Sequence, residues 1–182
     1  GLVTGVYTDY LYKNPVAKYY YDDKGFRIKK EVFSGSGSIA SATTYYVRDL
    51  AGNVLSTYDE EQGQLALQKE VPIYGASRLG QYKPKNKERM YELTDHLGTV
   101  RALIEKASNG QVEVLMRADY YPFGMEMPGR KYSSEAYRYG YQGQYAEKDG
   151  ETGLHSFELR QWDARIGRWN STDPYGQYFS PY

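Results

Sequence analysis

One unit, met three times, constrains this chain more than anything else in it. Residues 18–33, KYYYDDKGFRIKKEVF, place Tyr20 and Tyr21 before Asp22, then Gly25, then Phe26 and Ile28. Residues 44–58, TYYVRDLAGNVLSTY, place Tyr45 and Tyr46 before Asp49, then Gly52, then Val54. Residues 90–104, MYELTDHLGTVRALI, place Tyr91 and Leu93 before Asp95, then Gly98, then Val100. Alternating residues run up to an aspartate, two residues follow, a glycine closes the unit, and alternation resumes. That is the pattern of a β-hairpin. The aspartate opens the turn because its carboxylate accepts hydrogen bonds from backbone amides two or three residues on. The glycine closes it because a three- or four-residue hairpin loop often needs one residue at positive φ.

Further turns fall at Asn109-Gly110 and, more weakly, between Asp59 and Gly63. The first leads into a strand expected to put Val112, Val114 and Met116 on one face. Segment 33–44 reads as a wide hairpin loop in preference to a flexible linker, since the units on both sides are of one kind. Residues 134–153 are glycine-interrupted and polar, and predict short strands and loops. No stretch holds a helical period beyond two turns. Tyrosine, at 22 of 182 residues against five Phe and two Trp, suits a pleated, half-buried surface, and 19 glycines suit frequent tight turns. The expected fold is all-β: antiparallel hairpins forming a curved sheet strip.

Several function classes are disfavoured. Net charge is zero, with 23 basic and 23 acidic residues, so nucleic acid and anionic membrane are not expected partners. No apolar run approaches the ~20 residues of a membrane span, and the first residues lack the features of a signal peptide. Without cysteine there is no disulfide, zinc finger or thiol nucleophile. His96 and His155 are far apart and lack paired ligands, so no metal or cofactor is expected. No Gly-x-Ser-x-Gly elbow is present. Asp22, Asp49 and Asp95 are turn caps in preference to calcium ligands. The basic run KPKNKER, 83–89, reads as a solvated loop that keeps an exposed edge from pairing. Trp162 and Trp169 lie among Arg160, Arg165 and Arg168, a set that forms either packed core or a cation–π cluster.

A longer series of motifs adds to the hairpin units. Thr94 to Arg101 read TDHLGTVR, followed by Tyr121-Pro122-Phe123-Gly124 and Tyr139-Gly140-Tyr141-Gln142-Gly143-Gln144. Then come Glu151-Thr152-Gly153-Leu154, Arg160-Gln161-Trp162-Asp163, Gly167-Arg168-Trp169 and Asp173-Pro174-Tyr175-Gly176. With its tyrosine-rich units and Asp-x-x-Gly turns, this sequence resembles the YD repeats of the RHS family. Its C-terminal part resembles the RHS repeat-associated core domain. The resemblance divides the chain into hairpin repeats over 1–90 and a core domain over 91–182, continuous with each other.

That resemblance implies a sheet strip that spirals into a hollow β-shell around a C-terminal cargo or toxin, with the core domain closing one end. It implies as partners the remaining YD repeats of the parent, the cargo, and secretion machinery or surface glycans. It places the protein outside the cell or at a bacterial cell surface, and exposed strand edges imply self-association. In several bacterial members the core domain cuts the chain just downstream, using aspartates. Carried over, Asp163 and Asp173 become an acid pair, with Arg160 or Arg168 holding one ionised. The bland reading of Asp173 is a Pro174-containing turn. The sequence contains one Asp-Pro-x-Gly and lacks the second, near which such members cleave, so no activity is expected of these 182 residues alone. The alternative function is a surface adhesion or carbohydrate-binding module on the same hairpins, and an enzyme acting on an outside substrate comes last.

Overall fold

Successive hairpins are what the chain builds. In a computed structural model, described for residues 2–35, 38–134 and 137–173 and without the side chain of Gln144, helix is confined to one short 3-10 turn. The long sheet comprises β1 (Gly5–Tyr7), β2 (Pro15–Tyr21), β3 (Arg27–Val32), β4 (Ala42–Arg48), β5 (Val54–Glu61), β6 (Leu67–Tyr74), β7 (Arg78–Lys83), β8 (Glu88–Thr94), β9 (Val100–Lys106), β10 (Val112–Tyr120) and β11 (Glu126–Ser133). Strand order in the sheet is the order in sequence. The 3-10 turn, Gly143–Tyr145, then leads to β12 (Glu147–Lys148), β13 (His155–Ser156), β14 (Gln161–Asp163) and β15 (Arg168–Trp169). These form a second antiparallel sheet, also in sequential order.

The three Asp-x-x-Gly units make the same turn. Gly25, Gly52 and Gly98 have φ of 88°, 87° and 78°, and each donates its N–H to the carbonyl of the aspartate three residues back. The aspartate Oδ1 accepts amides two and four residues on: Lys24 and Phe26, Ala51 and Asn53, Leu97 and Thr99. The second acceptance therefore falls one residue later than the sequence argument places it, because the positive-φ glycine adds a residue before the returning strand. Tyr121 to Gly124 repeats the backbone pattern without the carboxylate: Gly124 donates to Tyr121, and Tyr121 to Met125. At Gly52 close packing adds to the φ requirement, since a Cβ there would lie 2.3 Å from the Phe26 ring. The Asp49 turn thus rests on Phe26, the residue that follows the turn before it.

Adjacent tyrosines divide between the two faces of the strip, as strand geometry demands. Tyr19 and Tyr46 are buried, while their neighbours Tyr20 and Tyr45 are exposed. The covered face carries Tyr19, Lys30, Tyr46, Thr57, Arg78, Met90 and Leu103. The open face carries Ile28, Val47, Leu55, Leu79, Tyr91 and Leu93. Segment 137–173 lies over the covered face. The apolar core there is small: Met90, Val100, Leu103, Leu115, Met116 and Ala118, with Tyr120 and Tyr137 against it.

Three local expectations are corrected. Val112, Val114 and Met116 do not share a face, because an irregularity between Val114 and Met116 shifts the register, leaving the valines exposed and Met116 buried. Residues 83–89 guard no sheet edge; Lys83 pairs with Glu88 and the run is the tip of the β7–β8 hairpin, while the sheet's edges are β1 and β11. Segment 33–44 connects two paired strands, but β4 already begins at Ala42. β8 runs through residue 90, and the second sheet begins at Glu147.

Candidate functional site

The small sheet is fastened to the strip by charge. Glu147 and Asp149 reach the covered face of β2–β4, and Lys148 between them pairs with Glu126 of β11 at 2.5 Å. Asp149 is fully buried at the head of a tight turn, where Gly153 N–H donates to its carbonyl at 2.8 Å. Its carboxylate accepts the Tyr19 hydroxyl at 2.5 Å and Lys30 Nζ at 2.6 Å. Lys30 also reaches Glu151 at 2.6 Å. Both oxygens of Glu147 lie 2.9 Å from the Tyr46 hydroxyl; Arg138 donates to Oε1 at 2.9 Å, and Arg27 Nη1 stands 4.0 Å off Oε2. Arg138 Nε is 3.0 Å from Glu70. Further along, Arg78 donates to Glu92 at 2.8 Å, the Tyr137 hydroxyl donates to Glu92, and the Arg78 guanidinium sits 3.6 Å from the Tyr139 ring centre. Burying a charge costs several kcal/mol unless it is paired and hydrogen-bonded. Here Glu147 and Asp149 of one layer meet that condition against Tyr46, Tyr19 and Lys30 of the other, so the clasp specifies where the segment docks.

The electrostatics agree. Burial alone would raise Glu147, but Arg138, Arg27 and Lys30 hold it below the usual carboxylate range. Burial disfavours charge on Lys30, yet Asp149 and its hydrogen bond raise the lysine above its ordinary value. Burial, then Asp149, pushes the Tyr19 hydroxyl up, so it stays a donor. His155 is pushed down to about 4, by burial first and then by Lys148. These shifts favour fixed charge states at neutral pH, which suits a fastening more than acid–base chemistry.

The C-terminal residues singled out by sequence gather beyond this clasp. Trp162 and Trp169 meet edge to face at 5.1 Å, Phe157 packs on Trp169, and Phe123 of the Tyr121–Gly124 turn packs on Trp162. Trp162 Nε1 donates to the Phe123 carbonyl at 2.8 Å. Arg160 lies 4.1 Å over the Trp169 ring and pairs with Asp173 at 2.9 Å. Asp163 is held by Arg165, through contacts of 2.9 and 2.6 Å, and Arg165 keeps its carboxyl below the usual range. Each of the two aspartates therefore has its own arginine. Gly167 closes the Asp163 turn at φ 65°, and Arg168 pairs across to Asp163 in the β14–β15 register. Pro122 lies in the Tyr121–Gly124 turn, Gly153 in the Asp149 turn, and Leu154 is buried beside it. Pro174 and Gly176 lie outside the described residues. The sequence argument missed the clasp, because Tyr19 and Lys30 stand 130 and 119 residues from Asp149 and no local pattern links them.

A hollow of about 700 Å³ opens beside the clasp. Lys30, Thr44 and Asp59 line it from β3–β5, and Met116, Tyr120 and Lys131 line it from β10 and β11. In a flat sheet β3 and β10 would stand ~34 Å apart, so the strip curves around this space. Among the described residues no three His, Asp or Glu side chains form a metal-binding group. No helix among them is long and apolar enough to cross a membrane.

No family model matches the chain. Salivary gland surface protein 1 of Aedes aegypti is 37% identical over 170 residues, covering 89% of this chain but 5% of that protein. The Photorhabdus luminescens Tc holotoxin pore, with a TccC3 aspartate replaced by alanine, superposes over 97% of this chain and 9% of its own, with a TM-score of 0.56 and 18% identity. TcdB2-TccC3-Cdc42, and TcdB2-TccC3 without its hypervariable C-terminal region, each match with a TM-score of 0.54 at 19% identity, over 88% of this chain and 9% of theirs. The chain thus spans a small part of every one of these relatives. Its architecture, sequential hairpins with a C-terminal segment laid over one face, is the fold of a segment of the Tc toxin chains.

Proposed function

We propose that this chain is a wall-and-plug segment of an RHS-type β-shell. The strip supplies part of the wall, residues 137–173 close over its inner face, and the parent holds a C-terminal polypeptide inside. The observation that carries this is the curved strip, whose concave face is covered by the chain's own C-terminal segment through a buried ionic clasp. The shared fold with TcdB2-TccC3 supports it, as does the description of one such structure as lacking a hypervariable C-terminal region. In this reading Asp163 and Asp173 belong to a self-cleavage centre of the parent, with Arg160 paired to Asp173. The parent acts outside the cell, in keeping with the relative named a surface protein.

The test is the intact mass of the parent chain, extended through the polypeptide that follows, beside its Asp163→Asn and Asp173→Asn variants. Two masses for the wild type and one for either variant are expected. Three uncut chains would refute self-cleavage, and rapid proteolysis of the downstream polypeptide would refute enclosure. A second reading, surface adhesion to glycans, draws on the exposed rings of Tyr20, Tyr45 and Tyr91 on the open face. It requires retention on immobilised glycans that is lost when those three become serine.

A further inference from the structure

We infer that the cavity beneath the Asp49–Gly52 turn is a site for a monovalent carboxylate. It encloses about 200 Å³ between that turn, the segment around Phe157 and the covered face of the strip. Ligand pockets for drug-sized molecules run from roughly 300 Å³ upward, so this one suits a smaller guest.

Two guanidinium groups define its chemistry. The Arg27 side chain is only 7% exposed, and its Nε has no hydrogen-bond partner among the described residues. The carboxylate it faces, Glu147, stands 4.0 Å away, beyond hydrogen-bond reach, and already accepts from Tyr46 and Arg138. Arg48 donates to the carbonyls of Arg27 and Gly52, which fix its position without neutralising it. A guanidinium presents five donors in a rigid fork that matches a carboxylate edge.

The charge count sets the valence. Arg27, Arg48 and Arg78 line the site; Glu92 pairs with Arg78, and Glu147 faces Arg27. Asp149 is engaged with Lys30 and Tyr19. Arg48 meets carbonyl oxygens in place of a carboxylate, and exposed Glu158 at the rim disfavours a dianion. Phe26, Tyr139 and Phe157 provide apolar walls for a flat body behind the carboxylate. Neither the shell nor the adhesion reading assigns anything here, and the inference stands apart from both.

The experiment is calorimetric titration of the chain with benzoate, benzamide, inorganic phosphate and acetyl-glutamate amide. Two variants accompany it: Ala51→Trp, at an exposed position on the cavity mouth, and Arg48→Gln. Benzoate is expected to bind, with benzamide and both variants weaker by about tenfold or more, each tenfold being ~1.4 kcal/mol. Ala51→Trp should keep the wild-type melting temperature, which separates blocking from unfolding. Acetyl-glutamate amide binding as well as benzoate would assign the guest to a polypeptide carboxylate; benzoate alone would assign it to a small free acid. No benzoate binding, equal binding of benzamide, tighter binding of phosphate, or an unaffected Ala51→Trp variant would each overturn the inference.

Discussion

Replacing Asp149 by asparagine tests whether the clasp fastens the small sheet. The substitution keeps shape and removes one buried charge. Lys30, with 9% of its side chain exposed, then keeps only Glu151, which is 32% exposed. Removing one partner of a buried pair costs about 3–5 kcal/mol. The surviving Glu151 contact puts this case at the low end, about 3 kcal/mol, which lowers the melting temperature of a chain this size by roughly 6–12 °C. The two tryptophans, Trp162 and Trp169, both lie in the small sheet. Tryptophan fluorescence therefore follows the clasp while far-ultraviolet circular dichroism follows the strip. In Asp149→Asn the fluorescence transition should come first, and in the wild type the two should coincide. Lys30→Met and the double variant complete a cycle whose coupling should be ~1–3 kcal/mol. A cost under about 0.5 kcal/mol, or no coupling, would show that packing alone docks the sheet.

Gly52→Ala should cost about 2–4 kcal/mol by chemical denaturation, since it adds a clash with Phe26 to positive-φ strain, whereas Gly110→Ala, with φ 83° and open space around it, should cost about 1 kcal/mol. His155 has its folded pKa lowered to about 4 from 6.5, so the folded state binds this proton less readily than the unfolded one. Its contribution to stability is therefore complete above pH 6.5 and lost as pH falls toward 4, by up to about 3 kcal/mol. His155→Gln should flatten that part of the stability–pH curve, and an unchanged slope would contradict the assignment.

The turns were legible because their physics is local. A carboxylate capping amides within four residues, and a glycine at positive φ, leave a signature a few residues long, and Asp22, Asp49 and Asp95 all carry it. The paired tyrosines Tyr19-Tyr20 and Tyr45-Tyr46 were legible as strand residues, though not as to which ring would be covered. That depends on a segment a hundred residues away. Glu147 and Asp149 look like ordinary surface acids in a polar stretch until the strip curves beneath them. Pairing was the least legible feature of the candidate cleavage residues. Arg160, Arg165 and Arg168 are equally basic in sequence, and only the Asp163 turn puts Arg165, two residues on, against that aspartate, leaving Arg160 for Asp173.

The clasp also acts as a length gauge. Eight strands, β4 to β11, separate Lys30 from the segment that brings Asp149 back to it. A sheet whose strands follow one another in sequence can gain or lose a hairpin without changing its topology. Within this stretch, however, one hairpin more or less would carry Lys30 along the sheet by two strand spacings, ~10 Å, and out of reach of Asp149. Hairpin number between β3 and β12 is thus held fixed by two oppositely charged atoms 2.6 Å apart. A hairpin duplicated ahead of β2 would leave Lys30 and Asp149 in register.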